Sequence, residues 1–165
     1  MQFIWGVLCQ RAIIDERSQK LSAIDIPAGL TLGSMPPALS AGATTSLILD
    51  STYLLEFWFS ETDDPFIEVR LFWRAPDGNR KELGKASADM SKQGRNERVR
   101  FFLEIATVEY RGFGVYALEV ESRTGNNKKW RPVASYPLTV KLKDADPTLP
   151  EQLSEPAPGV LLVSS

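Results

Sequence analysis

The side chains that do most enzyme chemistry are scarce in this sequence. Of 165 residues none is histidine and one, Cys9, is cysteine. Without imidazole there is no Ser-His-Asp or Cys-His nucleophile, none of the common zinc sites and no ordinary switch near neutral pH. A single cysteine excludes an internal disulfide framework and a cysteine-rich metal site. No base accompanies Cys9 in the sequence, so it reads as a small buried hydrophobe rather than a nucleophile.

Carboxylates are the remaining reactive groups. Glu56, Glu68, Glu104 and Glu119 are of the type that serves as a general acid and base in pairs, but no spacing places two of them in one pocket. On the polar faces of separate strands they would instead pair with Arg70, Arg74 and Arg100. An acidic turn, Glu61, Asp63 and Asp64, with Asp77 on a neighbouring turn, has the oxygens that calcium takes from converging loops. The Asp-x-Asp-x-Asp-Gly spacing of a calcium loop is absent, and a solvated turn explains the same residues. Arg74, Arg80, Lys81, Lys85, Lys92, Arg95, Arg98 and Arg100 make the middle of the chain basic, and Lys128, Lys129 and Arg131 surround Trp130. Basic residues interleaved with aromatics can follow phosphates and stack bases. Yet 19 basic residues stand against 21 acidic ones, a net charge of −2, which gives no reason to expect nucleic acid or an anionic membrane as partner. No catalytic residue, metal ligand or cofactor is expected, and the protein is expected not to be an enzyme.

The elements that would carry these residues are strands. Residues 97–121 organise the chain as two runs of alternating apolar and polar residues about a short connection. Val99, Phe101, Leu103 and Ile105 share one face of the first run, and Tyr116, Leu118 and Val120 one face of the second, a period of two that helical spacing would scramble. Gly114-Val115-Tyr116-Ala117-Leu118-Glu119-Val120 resembles the Gly-x-Tyr-x-hydrophobic-x-Val strand of immunoglobulin-like sandwiches, in which a tyrosine at a strand start bonds its hydroxyl to backbone.

From the start, residues 2–10 are apolar on both faces, as in a covered strand. A polar turn at residues 17–20 and a strand at 21–26 complete an opening hairpin. Val7-Leu8-Cys9, then Asp15-Glu16, then Lys20-Leu21-Ser22-Ala23-Ile24-Asp25-Ile26 resembles the opening of a family of small bacterial proteins, a DUF6941-like domain of unknown function. There an apolar strand ending in Leu-Cys precedes an acidic pair and a Lys-Leu-Ser-hydrophobic-hydrophobic-Gly strand; this chain has Asp25 in place of that glycine. The resemblance covers about the first thirty residues and implies a bacterial or phage β-sandwich, with no catalytic residues to carry over.

Residues 27–43 are rich in Gly, Pro and Ser and read as a surface connection. Residues 53–60 alternate, and residues 66–74 point Ile67, Val69, Leu71 and Trp73 inward. Ala75-Pro76-Asp77-Gly78-Asn79 has the composition of a tight turn before a strand at 80–86. Residues 87–97 read as a loop, Gly125-Asn126-Asn127 as a turn, and 130–142 as the last strand, placed at an edge or broken near Ser135 by Pro132 and Pro137. From Asp144 a Pro-rich acidic tail runs to an apolar end, Val160, Leu161, Leu162 and Val163. The expected fold is all-β, an immunoglobulin-like antiparallel sandwich of about seven to nine strands over residues 1–143, followed by the tail at 144–165; a closed barrel is the alternative. Residues 1–8 lack the basic start of a secretory signal, Leu8 replaces the small residue a lipoprotein site needs, and no run approaches the ~18 apolar residues of a membrane span. A cytoplasmic protein is expected.

Function is sought on the nominally wet faces. Trp58, Phe72, Phe102 and Val115 are apolar residues between charged neighbours, a stripe of the kind that marks an interface, with Trp130 nearby in sequence to the last strand. The apolar C-terminal residues, Val160 to Val163, are a complement able to add as a strand to a free sheet edge, in the same chain or another. These residues point to a non-enzymatic protein-binding or assembly module, its partner another protein or a second copy. A calcium- or polyanion-binding sandwich is the second reading, and a carboxylate-dependent enzyme the third.

Overall fold

A computed structural model describes residues 1–14, 17–18, 20–27, 29–32, 45–60, 63–91, 97–125 and 129–143. Ten strands account for them: β1 (Gln2–Cys9), β2 (Arg11–Ile14), β3 (Leu21–Ile24), β4 (Gly29–Leu32), β5 (Thr45–Phe59), β6 (Phe66–Arg74), β7 (Arg80–Asp89), β8 (Glu97–Tyr110), β9 (Gly114–Thr124) and β10 (Arg131–Leu142). There is no helix among the described residues, and so none long and apolar enough to cross a membrane.

Period-two alternation builds a β-sandwich. One sheet has the order β1-β5-β8 and the other β4-β10-β9-β6-β7; β2 and β3 form a separate hairpin. Tyr53, Leu55 and Phe57 of β5 face Ile67, Val69, Leu71 and Trp73 of β6 and Tyr116, Leu118 and Val120 of β9 in one shared core. Trp73 stacks on Tyr116 with ring centres 4.6 Å apart. Its Nε1–H donates to the Glu109 carbonyl of β8 at 2.8 Å, fastening the two sheets together. The Tyr116 hydroxyl donates to the Gly112 carbonyl at 2.7 Å and accepts from the Arg111 amide at 2.8 Å. Those two bonds close the connection before β9, as the sequence pattern leads one to expect.

Several expectations are corrected. The two organising runs lie in different sheets: β8 pairs with β5, whereas β9 lies between β6 and β10, so the chain changes sheets between Tyr110 and Gly114. Alternation fixes which face is wet but not which strand lies alongside. Residues 2–10 and 21–26 do not form the opening hairpin. β1 pairs with β5 and β2 with β3, because a strand with Leu8 and Cys9 fully buried needs cover that a two-stranded hairpin lacks. The sandwich is not antiparallel throughout, since β4 runs parallel to β10, and the strand count exceeds nine. That extra strand hides in the Gly- and Pro-rich stretch at 27–43. A Cβ on Gly29 would lie 2.5 Å from the Thr139 carbonyl oxygen, so glycine is what lets β4 reach β10. β7 continues to Asp89, three residues into the expected loop. The two prolines of β10 are accommodated as anticipated in kind: β4 covers only Thr139–Leu142, leaving the proline-bearing half with one neighbour, and the register shifts between Pro132 and Ala134. The expected tail at 144–165, with Val160, Leu161, Leu162 and Val163, lies outside the described residues, as do Glu61, Lys92, Arg95, Asn126, Asn127 and Lys128.

Candidate interaction surface

Paired residues of neighbouring strands point the same way, so the registers define the outer face of each sheet. On the five-stranded sheet that face carries Glu68, Arg70, Phe72 and Arg74 of β6 opposite Arg123, Glu121, Glu119 and Ala117 of β9. Every one of these charges is matched. Arg70 Nε donates to Glu121 Oε2 at 2.7 Å, Arg74 Nε to Glu119 Oε1 at 2.5 Å, Arg80 Nε to Glu119 Oε2 at 2.8 Å and Arg80 Nη2 to Glu121 Oε1 at 2.7 Å; Arg123 bonds to Glu68. The same guanidiniums lie on the aromatic rings. Arg80 sits 3.5 Å over Phe72, Arg70 lies 4.9 Å from Phe72 and 4.2 Å from Trp130, and Arg123 is 4.6 Å from Trp130. An alternating stack, Arg80-Phe72-Arg70-Trp130-Arg123, thus crosses the sheet. Cation–π contact favours this arrangement, and it leaves Phe72 only 8% exposed.

Burial alone would raise the Glu121 carboxyl, but bonds from Arg70 and Arg80 and their charges outweigh it and hold it below its ordinary 4.5. A depressed carboxyl adds stability that is complete above about pH 4.5 and lost as pH falls through the folded value. Glu121→Gln is therefore expected to flatten the acid limb of a stability-versus-pH curve below pH 4.5. Urea unfolding at pH 3, 4, 5 and 7 checks it; an unchanged slope between pH 3 and 5 counts against the assignment.

The three-stranded sheet presents a different outer face. Val7, Leu54 and Phe102 form one row across β1, β5 and β8; Trp5, Glu56 and Arg100 form the next; Gln2, Trp58 and Arg98 the one beyond. Leu54 is fully buried in the middle of this face, while Phe102 is 43% and Trp58 37% exposed. Glu56, expected on the surface, is 1% exposed. Its two oxygens accept from Arg98 Nη1 at 3.0 Å and Arg100 Nε at 2.9 Å. A buried carboxylate tolerates desolvation only when it is bonded in this way.

The four apolar residues proposed as one stripe are thus divided between the two sheets. Trp58 and Phe102 share the outer face of β1-β5-β8. Phe72 lies on the outer face of the other sheet beneath guanidiniums, and Val115 there is 59% exposed near the start of β9. Trp130 belongs to the cation stack. Sequence reasoning missed Trp5 and Val7, which join the exposed pair only once β1 is placed beside β5. Of the carboxylates, Glu56 pairs with Arg100 and Glu119 with Arg74 as expected, but Glu68 takes Arg123. Glu119 and Glu121 line a depression of about 470 Å³ beside Pro132–Ser135, and both are occupied by arginines. In the acidic turn Asp63 accepts from Ser60 and from the Met1 ammonium. Asp77 is at the other end of β6, bonded to Arg111, so it does not converge with Asp63 and Asp64. No cluster of three metal-capable side chains occurs among the described residues.

No protein-family model matches the chain, and no curated protein matches it.

Proposed function

We propose that the chain is a non-enzymatic protein-binding and assembly module whose contact surface is the outer face of β1-β5-β8, and that the partner is a second copy. What carries this reading is the contrast between the two outer faces. One covers its aromatic residues with its own arginines; the other leaves Trp58 and Phe102 open on either side of a buried Glu56–arginine cluster. Aromatic and arginine side chains around a desolvated centre are the composition of interface hot spots. The wiring supports an immunoglobulin-like sandwich, with a buried tryptophan on β6 stacked on the tyrosine at the start of β9. The likeness of the first thirty residues to DUF6941-like proteins, with the bacterial or phage origin it implies, belongs to the same proposal, as does a cytoplasmic setting.

Light scattering after size exclusion tests the assembly. The wild type is expected at a mass of two chains at tens of micromolar, and Phe102→Asp is expected to return it to one, weakening association at least a hundredfold, because it places a charge in the apolar row. A wild type that stays at the mass of one chain at every concentration overturns the reading.

A further inference from the structure

The outer face of β1-β5-β8 is charged unevenly from end to end. Its residues on β8 read Arg98, Arg100, Phe102 and Glu104, opposite Trp58, Glu56, Leu54 and Thr52 of β5. The Arg98 side chain is 60% exposed, and among the described residues its one bond runs from Nη1 to Glu56. At the other end the register of β5 shifts between Ile48 and Ser51, where Asp50 takes a φ of 39°. A bulge of this kind re-aims side chains. Here it sets exposed Asp50 on the rim of the same depression as exposed Glu104, about 280 Å³ in volume and lined also by Gln10, Ser51 and Thr52. Among the described residues neither carboxylate has an ionic partner, whereas Glu119 and Glu121 on the opposite sheet each hold two arginines. One end of the face thus has spare donors and the other spare acceptors, with Phe102 between them.

We propose that the second copy lies on this face with its strands reversed, so that Arg98 of each copy enters the acidic depression formed by Asp50 and Glu104 of the other. This rests on the outer-face reading above and fixes its geometry. Two identical faces meet about a two-fold axis. An axis along the strands would bring like ends together, arginine near arginine and carboxylate near carboxylate, which costs affinity. An axis across the strands brings unlike ends together. Crossing β8 at Phe101, it exchanges position 98 with 104 and 100 with 102. Both Arg98–Glu104 pairs then form at once, and Phe102 of each copy meets Arg100 of the other. Phe102 is 43% exposed and the Arg100 side chain 21%, so a ring over a guanidinium is open to them. Packed sheets lie about 10 Å apart, within the combined reach of an arginine and a glutamate. Attraction at both rims and an apolar row between them is how charge sets the register of an interface whose affinity comes from its centre.

Sedimentation equilibrium of the full chain tests it by charge reversal. Glu104→Lys is expected to weaken self-association at least tenfold, because the two-fold axis counts the change twice. Arg98→Glu is expected to do the same, and the double variant to return to within about threefold of the wild type. Since Arg98→Glu sets a carboxylate beside Glu56, cross-linking provides an arm free of that charge. Arg98→Cys and Glu104→Cys are expected to be joined by a short bis-maleimide when mixed, and neither to be joined to itself, because positions 98 and 104 lie about 20 Å apart along the strand. Cys9 is fully buried and does not compete. A folded double variant as weak as the single ones, self-joining of Arg98→Cys, or no joining in a mixture that still dimerises overturns the orientation and leaves the dimer standing. A wild type at the mass of one chain overturns it together with the reading it rests on.

Discussion

Trp73→Ala is expected to lower the unfolding free energy by about 3–5 kcal/mol, the range for emptying a buried aromatic site. Trp73 is 1% exposed in the middle of the core. Its loss removes the stack on Tyr116 and leaves the Glu109 carbonyl without the indole donor that reaches it from the opposite sheet. Trp73→Phe separates the two contributions: it keeps most of the ring and drops the bond, and is expected to cost about 1–3 kcal/mol. Urea denaturation of the three proteins measures both. A Trp73→Ala loss below about 1 kcal/mol would mean that the sheets are held together without this residue.

Glu56→Ala is expected to cost about 2–3 kcal/mol, below the 3–5 kcal/mol typical of a broken buried ion pair. The discount comes from the partners. The Arg98 side chain is 60% exposed and can turn to water, whereas that of Arg100 is 21% exposed and cannot do so fully. The residual cost is therefore carried mainly by Arg100. A double-mutant cycle of Glu56→Ala and Arg100→Ala is expected to give a coupling of about 1–2 kcal/mol. The corresponding cycle with Arg98→Ala is expected to give less than about 1 kcal/mol, the scale of an exposed pair. Equal couplings would show that exposure does not decide the matter here.

Much of the sandwich is legible in the residues because burial on one face is a local pattern. Ile67, Val69, Leu71 and Trp73 all point inward as alternation requires. The turn after β6 closes with Gly78 donating to Ala75 at 2.9 Å and Ala75 to Asn79 at 2.8 Å. Pairing is not local, so nothing in the period of β8 and β9 indicates that they belong to different sheets. The same limit explains the site. Alternation places Phe72 and Phe102 alike on a wet face, and only the register shows that Arg70 and Arg80 cover the first while the second has Leu54 and Val7 beside it. Glu56 escapes for a related reason. Its cover comes from arginines forty-two and forty-four positions away, brought into place by the β5–β8 register.

The pairing of β1 with β5 has a consequence for synthesis. Gln2 meets Trp58 across that ladder, so β1 leaves the ribosome ahead of a partner more than fifty residues behind it. At 5–20 residues per second the interval is about 3–10 s. For those seconds a segment greasy on both sides has no sheet to join, well before the finished domain exists.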